Sequence, residues 1–136
     1  MSNAQNLAYS IVQILHNFGA VATVGGSFAA AGNASADVRK KLAWITLAGW
    51  VTQAASGAAF GMVSFMFYHQ LPDIAGVAVI ALVIKILCAS TGFLLVATYL
   101  FRGESWAERK KSKMWYSSSI LSVIALSAAA ILRWFS

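Results

Sequence analysis

Residues 77–101 read VAVIALVIKILCASTGFLLVATYLF, a run in which Lys85 is the only charged side chain. About 20 helical residues cross the hydrocarbon of a bilayer, so this run is long enough to span one. Lys85 then stands at bilayer depth, where ionisable groups are costly and face a bundle interior or a wet cavity. His16 is the other ionisable side chain set as deep in an apolar run.

Composition points the same way. Of 136 residues, 60% are hydrophobic and 10% charged, and mean hydropathy is +0.72. A soluble domain this small cannot hide so much apolar surface. The expectation is a single all-α domain, an integral membrane four-helix bundle running up and down, with the lipid bilayer as its solvent. The apolar segments are 7–31, 42–68, 74–101 and 114–134, separated by polar breaks. Pro72, the sole proline, falls in the second break, where its missing N–H costs nothing. The N-terminus, Met1 to Ala8, has no basic residue, and the first run is longer than a signal-peptide core, so a retained helix is expected.

The net charge of +6 is concentrated in Arg39-Lys40-Lys41 and in Arg102 to Lys113. Flanked by apolar runs, these are loops held inside during insertion rather than a nucleic-acid surface. Helices alternate in direction, so the first and third loops share a side. The reading places both termini outside (periplasmic in a bacterial inner membrane) and the basic loops in the cytoplasm. Trp44, Trp106, Trp115 and Trp134 fall near helix ends, where an aromatic belt belongs. The lone Cys88 excludes a disulfide framework.

Each run carries one stripe of small or polar residues. The first has Gln13, His16, Gly19, Thr23, Gly26 and Ala30; the second has Gly49, Gln53, Gly57 and Gly61. The third has Lys85, Cys88, Ala89 and Gly92, and the fourth has Ser118, Ser122, Ala125 and Ala129. In lipid such stripes are helix contacts. At roughly 1.5 Å per residue, His16 and Lys85 both stand about 23 Å above the basic ends of their helices, with Gly57 at a similar height.

This level is the candidate site. A neutral imidazole in a bundle core suits haem or a metal. His16 would be the axial ligand of haem b. Gly19 and Gly57 would leave room for the ring, and Lys85 would meet a propionate, hold a carboxylate substrate, or itself ligate iron. The bland alternative makes His16 helix glue, bonded to Gln53 or Ser122. His69 lies roughly 16 Å further out, too far to share one iron with His16. A second candidate is Cu(I) on Met62, Met66 and His69, which follow four- and three-residue steps at the outer end of the second run. The carboxylates, Asp37, Asp73, Glu104 and Glu108, all lie in loops or at helix ends, which argues against acid–base hydrolysis.

The stretch Ile14-Leu15-His16-Asn17-Phe18-Gly19-Ala20-Val21-Ala22-Thr23-Val24-Gly25-Gly26 resembles the first helix of a group of small four-helix membrane proteins. The group includes the copper-resistance D domain and the bacterial haem-binding protoporphyrinogen oxidase. Trp50-Val51-Thr52-Gln53-Ala54-Ala55-Ser56-Gly57 is similar to the second helix of some members, and Lys85 matches a third-helix lysine. The resemblance implies haem binding through His16 and Lys85. Ala29-Ala30-Ala31-Gly32-Asn33 stands where the oxidase has an aromatic-rich Pro-Arg segment. Three functions follow: a redox protein or redox subunit passing electrons to quinone or a larger complex; a non-catalytic subunit of a membrane assembly or homo-oligomer; and copper handling.

Overall fold

The computed structural model describes residues 2–32, 34–70 and 72–135. Asn33 and Leu71, in the first two polar breaks, lie outside the described residues. Four α-helices follow in order: α1 (Asn3–Ala31), α2 (Ala36–Tyr68), α3 (Val77–Arg102) and α4 (Glu108–Phe135). A single 3-10 turn, Gly103–Ser105, joins α3 to α4. Among the described residues there is no strand.

Helices α1, α2 and α4 begin before their apolar segments, and caps set the starts of the first two. The Ser2 hydroxyl accepts from Gln5 N–H at 3.2 Å, and the Ser35 hydroxyl accepts from Val38 N–H at 3.4 Å. Helix α2 therefore begins six residues before its apolar segment and carries Arg39, Lys40 and Lys41 in its first turns. It ends at His69, whose left-handed backbone (φ 54) lets its N–H reach Phe65 O at 2.9 Å. Helix α3 starts later than expected, after Gly76, whose φ of 54 a side chain would strain.

Each helix packs against its two neighbours in a closed ring, α1 on α2, α2 on α3, α3 on α4 and α4 on α1. The direction of α1 against α2 is read from their contacts: His16 meets Ser56, Gly19 meets Gln53, and Gly26 meets Thr46. Numbers rise on one helix as they fall on the other, so the pair is antiparallel. Many interior positions are small or polar: Ser27, Ala30, Ala43, Thr46 and Ser118 are wholly buried. The exterior is bulky and apolar, with Phe18 at 71% exposure and Leu15, Val21, Ile80, Leu87, Leu94 and Ile120 also outward. Small side chains inside and large apolar ones outside invert the pattern of a soluble protein and suit lipid.

Among the described residues three helices, α1, α3 and α4, are long and apolar enough to cross a membrane. Helix α2, read from the sequence as a fourth such span, has the length. Its Gly, Ser, Thr and Gln residues leave no stretch of it as apolar as the spans within the other three. Trp115 is a second correction: it is wholly buried, edge-on to Tyr99 at 5.1 Å, and belongs to the core rather than to an aromatic belt. With Trp50, Val96, Tyr99 and Met114 it fills the bundle toward its basic end.

Candidate functional site

His16 on α1 and Lys85 on α3 meet across the diagonal of the ring, Lys85 Nζ lying 3.3 Å from His16 Nε2. Equal height and inward-facing stripes bring them together. The third member is Ser56 on α2, whose Oγ lies 2.7 Å from His16 Nδ1. Its single proton is already committed to Thr52 O, at 2.5 Å, so Ser56 accepts and Nδ1 carries the imidazole proton. The lone pair of Nε2 is left directed at Lys85. That is the hydrogen-bonding pattern that orients a ligating histidine.

Gln53, one turn below Ser56, donates from Nε2 to the backbone carbonyl of His16 rather than to its ring. It ties α1 to α2 beneath the imidazole. Phe60 closes the other side, edge-on to the imidazole at 5.7 Å and stacked on Tyr9 at 6.4 Å. Ser122, the other proposed partner for His16, instead donates to Ser119 O at 2.8 Å.

The two glycines expected to make room differ. A Cβ on Gly19 would meet Gln53 and the Gly49 carbonyl at 3.2 Å, so its space is filled by α2. This corrects the expectation of a cradle there: close helix approach has consumed it. A Cβ on Gly57 meets nothing within 4 Å. Gly57 and Gly61 therefore leave open space rather than a helix contact, whereas Gly49 presses against Thr23 N, 2.8 Å from a Cβ built there.

Among the described residues Lys85 has no carboxylate partner. The three ion pairs among the described residues are Arg39–Glu108, Lys40–Glu104 and Lys111–Glu108, all at the basic end. An ammonium sheltered between helices, with an imidazole as its hydrogen-bond partner, calls for an anion.

Met62 and Met66 are 64% and 66% exposed on the outer half of α2, and His69 is exposed at its end. Among the described residues no group of three His, Cys, Asp or Glu side chains is placed to hold a metal ion. Cys88 is buried in the core.

Ser56 is the residue that sequence reading passed over. It lay in the quoted stretch Gln53-Ala54-Ala55-Ser56-Gly57, one turn above Gln53, and the signal was that spacing. Also unread was the polar string at the far end, where Arg133 Nη1 donates to Gln13 Oε1 at 3.3 Å and Gln13 Nε2 to Asn17 Oδ1 at 2.7 Å. No family model, curated protein or solved structure matches the chain.

Proposed function

We propose that the chain is an integral membrane bundle that binds haem b through His16 and acts as a small redox protein or redox subunit. Both termini lie outside and the basic loops lie in the cytoplasm. The shared end of the two basic loops supports that orientation, since Arg39 of α2 pairs with Glu108 of α4 at 2.8 Å and Lys40 with Glu104 at 3.0 Å.

The observation that carries the haem reading is the imidazole held by Ser56 with its Nε2 lone pair turned to the bundle interior. The donor set fits the group: His16 would ligate iron, Lys85 would pair with a propionate, and the open side of Gly57 would admit the ring. Bound there, the group would take up the Nε2 lone pair that Lys85 now meets, and a propionate would give the ammonium the anion it lacks. Haem bound there would supply one-electron transfer, its potential set by ligand and burial. The resemblance of the first helix to haem-binding four-helix proteins agrees with this assignment.

The test is an absorption spectrum of detergent-purified protein before and after dithionite. A Soret band is expected in the wild type and in His69→Ala, and is lost in His16→Ala. Protein expressed with ample haem yet free of haem iron would end the proposal.

One observation favours a second reading, that of a packing subunit in a membrane assembly. Both ring nitrogens and the carbonyl of His16 are engaged within the chain. The reading expects a colourless protein that co-purifies with other subunits and loses them when the pair is removed.

A further inference from the structure

At the basic end, a cavity of about 360 Å³ is lined by Ala34, Ala36, Arg39, Tyr99, Glu108 and Lys111, drawn from α2, α3, α4 and the first loop. Two cations converge on it. Arg39 Nη1 lies 2.8 Å from one oxygen of Glu108, and Lys111 Nζ lies 2.9 Å from the other. The cations are the sheltered partners: their side chains are 13% and 15% exposed, against 73% for Glu108. Arg39 is further fixed, its Nε donating to Ala30 O at 3.3 Å and its Nη2 to Gly32 O at 3.4 Å. The Tyr99 phenol makes no hydrogen bond among the described residues and lines the same cavity.

The charge does not balance. Two sheltered cations are answered by one exposed carboxylate. Of the ten Lys and Arg residues, all but Lys85 and Arg133 belong to this end; of the four carboxylates, all but Asp73 do. Glu104 is engaged by Lys40, and Asp37 makes no ion pair among the described residues. One guanidinium N–H, with the rest of Arg39 fixed by backbone carbonyls, and an ammonium facing the same point suit an oxyanion with more than one acceptor oxygen. Glu108 fills that role from within, from an exposed first helical position.

We propose that this cavity is a phosphate site, and that its ligand is the headgroup of an anionic phospholipid for which Glu108 is the stand-in. The placement favours a lipid source. The cavity lies where α1 has left its apolar run and α4 has not yet entered its own, at the level of headgroups. Juxtamembrane cations at such a level attract anionic lipid. The inference rests on the membrane placement proposed above and is independent of haem.

Native mass spectrometry of detergent-solubilised protein, with phosphatidylglycerol, phosphatidylcholine or inorganic phosphate added in separate arms, tests it. Wild type should retain phosphatidylglycerol selectively. Arg39→Gln and Lys111→Gln should each weaken retention about tenfold, the loss of one hydrogen bond to a charged group. Glu108→Gln should strengthen it, and Lys41→Gln should leave it unchanged. Melting temperatures measured in parallel separate lost binding from lost folding, with Arg39→Lys as the milder variant.

Equal retention of both lipids would overturn the proposal, as would a Glu108→Gln loss matching that of the cation variants. Protection by inorganic phosphate without lipid preference would overturn the lipid source. Release from membranes by alkaline carbonate would refute the membrane placement instead, a result the phosphate arm does not depend on.

Discussion

Ser56 decides what His16 can do. By accepting the Nδ1 proton it leaves the basic nitrogen facing Lys85, across the bundle rather than toward α2. Removing the hydroxyl strands a partly buried N–H, which typically costs about 1–3 kcal/mol. Ser56→Ala should therefore lower the thermal midpoint and, if the proposed haem site is right, release haem more easily, as followed by Soret loss on heating. Lys85 behaves differently. It is desolvated without a carboxylate, so its charge is a burden on the fold. Lys85→Met should hold or raise the midpoint and, on the haem proposal, weaken the hold on that group. A marked fall in midpoint with no change in haem content would show that the pair is packing and nothing more.

Among the helices, the glycines of α2 separate into two kinds. Gly49 lies where α1 and α2 touch backbone to backbone, and Gly26 is closed by Thr46 in the same seam. Gly57 and Gly61 face open space. Gly49→Ala forces a Cβ into Thr23 and should cost about 1–3 kcal/mol, as overpacking does. Gly57→Ala meets nothing and should stabilise the helix by up to about 0.5–1 kcal/mol, the usual cost of an interior helical glycine. Denaturation of the two variants in one detergent checks the contrast. Gly57→Phe tests the haem proposal at this scale: it should exclude the ring while the helix content stays unchanged.

For the molecule as a whole, the basic end is clasped by ion pairs that span the first and third loops. Hydrogen bonding from Lys40 holds the Glu104 carboxyl below its ordinary value of 4.5, and Lys111 and then Arg39 do the same for Glu108. A carboxylate depressed in the folded state contributes stability above its unfolded value and loses it as pH falls through the folded one. The clasp should therefore be intact at pH 5 and above and open progressively below 4.5. Both carboxylates are exposed, so the effect is small and weakens with salt. Proteolysis in the connection 103–107, followed against pH in detergent, should rise under acid before the helices melt. A connection equally resistant at acid and neutral pH would remove the clasp from the account.

Much of this protein was legible in its sequence. Long apolar runs, broken by polar segments, determine four helices, because backbone groups shut away from water must bond within the helix. A fixed rise per residue determines that His16 and Lys85 share a level, and the periodicity determines which small residues form each inner stripe. What remained to the tertiary structure was rotation and separation. Which nitrogen of His16 faces Lys85, which glycines are closed and which open, the inward turn of Trp115 and the meeting of Arg39 with Glu108 all depend on how far each helix turns against its neighbours. That turn is set by side chains interlocking between elements distant in the chain, and no single stripe contains it.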